Sequence, residues 1–315
     1  MERYVLLITN LYSSSVAQVT QVRLPDEEFR VPVRGGELAL ARYGSSKGKP
    51  ILAIHGITSS NRAWQSFAVA MVPNGYTLYA VDLRGRGRSN SLPAPFGMEN
   101  HARDMFEVLN FLKLEKVDVV GHSMGAFVAV ALLGMYPERV GRTVLIDGGL
   151  RLALPAGFTV EMVLPVVLGP ALARLQMVFK TKEEYRNYWK PQAAFIKGWS
   201  TAHDEYSDYD LVGQPSNLIP ATNPAAVEED SRDLFEQELI DKTLQNLKEE
   251  VLMLRAVRGL QNEETPLYPQ QVLDALLPKY PKVKVVTVED TNHYDILLDQ
   301  SGADRCAELA FGVKV

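Results

Sequence analysis

Only one cysteine, Cys306, occurs among the 315 residues, which excludes an intrachain disulfide and any thiolate-based metal cluster. The five histidines, His55, His101, His122, His203 and His293, are scattered. No two of them have the His-Glu-x-x-His spacing that sets two zinc ligands on one helical face, so no metal site is expected. Positive charge is in deficit: 33 Lys plus Arg against 38 Asp plus Glu leave a net charge of −5, and no global positive field exists to attract nucleic acid or an anionic membrane. Long apolar runs are missing too, because Pro, Gly or charge interrupts each one before the roughly 18 to 20 residues that span a bilayer. The expectations are no nucleic-acid partner, no membrane span and a cytoplasmic location. At the start, Met1 to Ile8 and the small residues Ser15-Val16-Ala17 are faintly like a signal peptide. The apolar run is short and is followed by Asn10, so 1–24 is read as an N-terminal arm or extra strand.

What is present is the composition of a globular enzyme-sized chain, 46% hydrophobic and 23% charged, long enough for one core plus an insertion. Strand-like runs at 29–33, 38–43, 51–54, 77–81, 117–120 and 143–146 alternate with helical patterns around 62–72, 99–113 and 124–135. That alternation predicts an α/β fold, a mostly parallel sheet flanked by helices. The later runs are almost continuously apolar, as strands buried on both faces are. From 151 to 247 convincing strands vanish and helical periodicity, aromatics and Pro/Gly breaks take over, which predicts a helical cap between two core segments, 25–150 and 248–315. Within it Thr181-Lys182-Glu183-Glu184 reads as a capping box, with Tyr185, Tyr188 and Trp189 recurring on one helical face. Strands return at 251–254 and 283–288, with helices around 270–278 and 303–311.

Gly121-His122-Ser123-Met124-Gly125 follows one predicted strand and opens a helix. At such a strand-to-helix turn a serine is held in a strained conformation with its hydroxyl exposed, and the flanking glycines keep side chains out of the way. A serine hydroxyl is a poor nucleophile without a general base in reach. His293, in Thr291-Asn292-His293-Tyr294 just after the last strand, ends on the same sheet edge as Ser123. His122 is adjacent to Ser123 and points elsewhere, so it is read as packing or support. A tetrahedral oxyanion needs two preset backbone donors. Met124 N–H follows the nucleophile, and Ile57 N–H lies in the loop after 51–54, where Gly56 lets the chain turn.

These features resemble the α/β-hydrolase superfamily. His55-Gly56, Asp82-Leu83-Arg84-Gly85-Arg86-Gly87-Arg88-Ser89, the elbow at 121–125 and Asn292-His293 occur in that family's order, and the resemblance covers 29–311. It implies a Ser-His-acid triad, no cofactor, and an insertion after the sixth strand acting as a lid. Ser rather than Asp at the elbow speaks against dehalogenase and epoxide hydrolase chemistry. The Gly-punctuated loop with three arginines is read as a simple exit from the sheet. The acid departs from the family pattern: after 251–254, Ala256 stands where a glycine would close the strand and Gly259 where the acid would follow. Asp147, at the end of 143–146, is the preferred substitute because it is held at the carboxyl edge of the sheet. Glu263, in a lengthened loop, is the rival, with Glu264 behind it.

The reading is a carboxylesterase-like hydrolase of a small, largely apolar molecule, with an acyl-enzyme intermediate. Lactonase, C–C hydrolase and proline-releasing aminopeptidase are the alternatives within the enzyme class, and a non-catalytic small-molecule binder is the alternative outside it. An aminopeptidase needs carboxylates for the substrate ammonium, and Glu228, Glu229 and Asp230 are the one tight cluster, although such a run reads more simply as a solvated helix start. Trp189, Phe195, Trp199, Tyr206 and Tyr209 are expected to form an apolar pocket wall.

Overall fold

The computed structural model describes residues 22–152, 157–236 and 238–315. Most of the predicted N-terminal arm therefore lies outside the described residues. Among the described residues ten strands occur: β1 (Glu27–Val33), β2 (Gly36–Tyr43), β3 (Lys49–Ile54), β4 (Tyr76–Val81), β5 (Val117–His122), β6 (Val140–Ile146), β7 (Leu211–Gln214), β8 (Asn217–Pro220), β9 (Val251–Ala256) and β10 (Val283–Val288). The helices are α1 (Gln65–Met71), α2 (Met98–Phe111), α3 (Met124–Met135), α4 (Val160–Leu168), α5 (Pro170–Ala173), α6 (Lys182–Trp189), α7 (Thr201–Tyr209), α8 (Pro224–Asp233), α9 (Glu238–Gln245), α10 (Gln270–Leu276), α11 (Asp295–Leu298) and α12 (Gln300–Phe311).

Eight strands form one sheet in the order β1-β2-β4-β3-β5-β6-β9-β10. β1 runs antiparallel to β2 and β2 to β4, and every later neighbour is parallel. The apolar runs explain the centre of the sheet. Leu52 and Ile54 of β3, with Val119 of β5, pack into one core layer, while Ile51, Ala53 and Val120 pack into the other. Strands clothed on both faces have no solvent side and read as unbroken Val/Ile/Leu/Ala. α3 behaves likewise, with Met124 to Leu132 all buried, so it is a central helix apolar around its whole circumference. Consecutive parallel strands here need crossovers, and all of them deliver their following loops to the same carboxyl edge.

The predicted strands and core helices lie where the sequence put them, except that α12 begins three residues earlier, at Gln300. The stretch between β6 and β9 departs more. Besides helices it holds a small antiparallel sheet, β7 with β8. Four-residue strands joined by a turn through Ser216, at positive φ, are too short for alternation to be visible in sequence. Among the described residues no helix is long and apolar enough to cross a membrane.

Candidate active site

Ser123 stands between β5 and α3 with φ 55° and ψ −125°, a conformation that L-residues rarely adopt. Its N–H donates to the Ile146 carbonyl of β6 at 2.9 Å, and its own carbonyl accepts from Ala126 N–H, so backbone bonds hold the strain. The glycines of the motif are steric necessities. A Cβ at Gly121 would collide with the Gly125 carbonyl, and one at Gly125 with the Ile54 carbonyl of β3.

Across the edge, His293 Nδ1 lies 2.7 Å from Asp147 Oδ2, with both side chains buried. Asp147 is fixed in turn: its N–H donates to the Leu254 carbonyl at 2.7 Å, and its Oδ1 accepts from Ala256 N–H at 3.0 Å. Like Ser123 it has a positive φ, 43°, directly after its strand. The ring of His293 is supported from behind by His122, whose Nε2–H donates to the His293 carbonyl at 2.8 Å. Burial, with His293 adding to it, holds His122 well below the ordinary imidazole range, so it stays neutral.

The loop after β3 is oriented by His55. Leu83 N–H donates to His55 Nε2 at 3.0 Å, which leaves the ring hydrogen on Nδ1, 2.7 Å from the Gly56 carbonyl. Because the peptide is planar and trans, fixing the Gly56 carbonyl aims Ile57 N–H the opposite way. Burial pushes the His55 pKa down to about 3, so its tautomer persists at neutral pH. Among the described residues neither Ile57 N–H nor Met124 N–H donates to a protein acceptor.

Ser123, His293, Asp147, Ile57 and Met124 all line one cleft, whose other walls are Phe127, Val163, Leu164, Val167, Leu168, Leu234, Phe235 and Leu260 among others. A second cleft meets it at Ser123 and His293 and is bordered by Thr58, Ser59, Tyr206 and Tyr294. No Lys or Arg lines either one among the described residues.

The sequence family described as the alpha/beta hydrolase fold matches residues 49–300, four-fifths of the chain. The chain belongs to the α/β-hydrolase family. A serine hydrolase-like protein of Danio rerio is 33% identical over 130 residues, covering 41% of this chain and 40% of that protein. A 2-hydroxy-6-oxononadienedioate/2-hydroxy-6-oxononatrienedioate hydrolase of Paraburkholderia phymatum is 36% identical over 137 residues, covering 42% of this chain and 48% of its own length. The chain thus spans less than half the length of these curated relatives. The crystal structure of E-2-(acetamidomethylene)succinate hydrolase superposes with a TM-score of 0.73 over 91% of this chain and 99% of that one, at 20% identity, a likeness of fold.

Four expectations for this α/β hydrolase change. The rival acid Glu263 is exposed, and its carboxylate accepts Gln261 N–H at 2.8 Å within its own loop, while His293 Nδ1 pairs with Asp147. Glu264, equally exposed, does not line either cleft. The acidic run 228–230 lies in the middle of α8, with Glu228 and Glu229 exposed as a solvated run would be and Asp230 buried. Phe96 and Gly97 N–H, which open α2, donate to Glu229 at 2.8 Å and to Asp230 at 2.6 Å, and Met98 N–H donates to Asp233 at 2.6 Å. Unpaired amides at a helix start favour nearby anions, which gives Glu229, Asp230 and Asp233 structural partners in place of a substrate ammonium. The aromatic wall is mostly elsewhere. Trp189, Phe195 and Trp199 form an edge-to-face ladder that joins the insertion to the core, Tyr209 bonds Asp82, and only Tyr206 of the five borders a cleft. Aliphatic side chains of α4, with Leu234 and Phe235 after α8, form the actual wall. Nor is the 82–89 loop a plain exit. Arg84 forms a buried pair with Asp104 and Arg86 one with Asp230. An arginine's distant partner leaves no mark in local spacing, so neither pair was legible.

Proposed function

We propose that this α/β hydrolase cleaves carboxylic esters through an acyl-enzyme, with Ser123 as nucleophile, His293 as general base and Asp147 as the acid. The observation that carries the reading is that the strained Ser123 turn lines the same cleft as the His293–Asp147 pair, whose bond is 2.7 Å. Asp147 accepts the Nδ1 hydrogen, which leaves the lone pair on Nε2 and stabilises the imidazolium formed when Ser123 gives up its proton. Attack on the ester carbon puts negative charge on the carbonyl oxygen, where Ile57 and Met124 N–H, without other acceptors, receive it. Collapse expels the alcohol, protonated by His293. Water activated by the same ring then releases the acid and restores Ser123.

The residues between β6 and β9 serve in this proposal as a lid, since α4 and the end of α8 wall the cleft beside Ser123. An apolar cleft with no cationic side chain favours an uncharged acyl group. That feature ranks an apolar ester above the dicarboxylate named for the Paraburkholderia relative.

The test is a series of p-nitrophenyl esters from acetate to octanoate with a fluorophosphonate probe, on the native chain and on Ser123→Ala. Hydrolysis and labelling are expected in the native chain, with loss of both and an unchanged circular dichroism spectrum in the variant. Retention of more than a few per cent of turnover in Ser123→Ala would remove Ser123 from the mechanism. A native chain that hydrolyses no ester and takes no label would leave a binding function on the same fold.

A further inference from the structure

The loop that carries Ile57 is gripped by two buried arginines. Arg86 Nε donates to the Ile57 carbonyl at 2.9 Å, and its Nη2 rests 4.0 Å from Met124 Sδ, so one guanidinium touches both residues that carry the proposed oxyanion donors. Arg174 Nη2 donates to the next carbonyl, Thr58, at 2.8 Å. With His55 on Gly56, three consecutive peptide planes are fixed.

Each arginine is balanced by a carboxylate from the stretch between β6 and β9. Asp230 of α8 pairs with Arg86, and both side chains are fully buried. It also accepts from His101 Nε2 at 3.0 Å and from Gly97 N–H. Asp210, just after α7, pairs with Arg174 at 2.8 Å and accepts the Tyr185 hydroxyl. Tyr206 of α7 adds a 3.1 Å bond to Ser59 Oγ. A planar, forked guanidinium that bonds a carbonyl and a carboxylate together transmits the position of one to the other.

Resting on the triad reading above, we propose that Asp230 and Asp210 are positioning residues: through Arg86 and Arg174 they set the orientation of the oxyanion loop, so the insertion completes the catalytic geometry as well as covering it. Neither carboxylate lines the clefts at Ser123. Their influence therefore falls on the transition state, while the apolar walls that bind ground-state substrate stay in place.

The experiment measures kcat and KM for p-nitrophenyl butyrate, and the inhibition constant of an alkyl trifluoromethyl ketone whose serine adduct bears an oxyanion, for the native chain, Asp230→Asn and Asp210→Asn. Each variant is expected to lose about ten- to a hundredfold in kcat, in keeping with displaced catalytic geometry, and to weaken the ketone by the same factor. KM is expected to change less than about threefold. Normal kcat and ketone binding in a folded variant, or a loss confined to KM, overturns the role of that carboxylate. If an amide variant fails to fold by circular dichroism, Arg86→Lys supplies the same readouts, because lysine keeps the charge opposite Asp230 but cannot also reproduce the Nε–H bond to Ile57. Unchanged kcat and ketone binding in that variant overturn the proposal. A native chain inert to both ester and ketone overturns the triad reading and this one with it, whereas an active native chain beside fully active variants overturns this one alone.

Discussion

The core and the residues between β6 and β9 meet at the edge that carries Ser123, and they contribute to it in different ways. The core supplies backbone geometry: Ser123 at φ 55° after β5, Asp147 at φ 43° after β6, and the peptide planes after β3. The insertion supplies mostly side chains, a wall of aliphatics from α4 and the residues after α8, and carboxylates that reach Arg86 of the core or the start of α2. Backbone geometry in the core follows from short apolar strands and glycines at fixed offsets, so the positions of proposed reacting groups are tied to the sheet. Side chains from the insertion can be exchanged with less disturbance, which is where selectivity among substrates is expected to reside.

The strongest way to break this division is to remove the core carboxylate. Asp147→Asn is expected to lower kcat by about 10⁴, because the amide leaves His293 without an acceptor for its Nδ1 hydrogen. Glu263→Gln is expected to leave turnover within about twofold of native, since that carboxylate holds only its own turn. A collapse in Glu263→Gln with near-normal turnover in Asp147→Asn would transfer the acid to the loop after β9.

How far the sequence could be read follows the same line. Ser123, His293 and the strands at 51–54, 117–120 and 143–146 were legible because apolar runs and a glycine motif are local patterns. Asp147 was less so, because its pairing depends on β6 lying beside β9, a fact of sheet order. The partners of Arg86 and Arg174 were not legible at all. Asp230 lies 144 positions after Arg86 and Asp210 lies 36 after Arg174, and no period links them. The acidic run at 228–230 looked solvated because charge runs usually are, and the Phe96 and Gly97 amides at the start of α2 that it serves belong to another part of the chain. The aromatic cluster misled for a related reason, since a ladder that fastens the insertion and one that walls a pocket share one composition.

A pH titration compares the two regions in a second way. Burial lowers His55, in the core, to about 3, so the folded chain takes up its proton less readily than the unfolded chain does. Its contribution to stability is complete above the unfolded value near 6.5 and falls as pH drops toward 3, with a loss of about 3 kcal/mol at pH 4. His203, in the insertion, is also lowered by burial, but Asp299 and Asp204 oppose the shift. Urea unfolding of the native chain, His55→Asn and His203→Asn between pH 4 and 7 checks this. His55→Asn is expected to flatten the acid arm by close to one proton, and His203→Asn by less. Equal flattening in the two would erase the distinction between core and insertion.

The smallest effect expected is also the one that separates the two functions of the insertion. Phe235 and Leu164 face the cleft and are only half-buried, so Phe235→Ala removes wall without opening a deep cavity in the core. Contact with a few methylenes is worth about 1 to 3 kcal/mol, so the preference for octanoate over acetate esters in kcat/KM is expected to fall about tenfold. The melting temperature should drop by only a few degrees. Trp189, at the centre of the ladder with Tyr185, Tyr188 and Phe195 and beneath the Arg174 guanidinium, lines neither cleft. Trp189→Ala should cost about 3 to 5 kcal/mol of stability, as large-to-small changes of buried aromatics do, while the chain-length preference of the molecules that remain folded stays native. The opposite result, altered chain-length preference in Trp189→Ala and none in Phe235→Ala, would return the pocket wall to the aromatic cluster and leave α4 as mere cover.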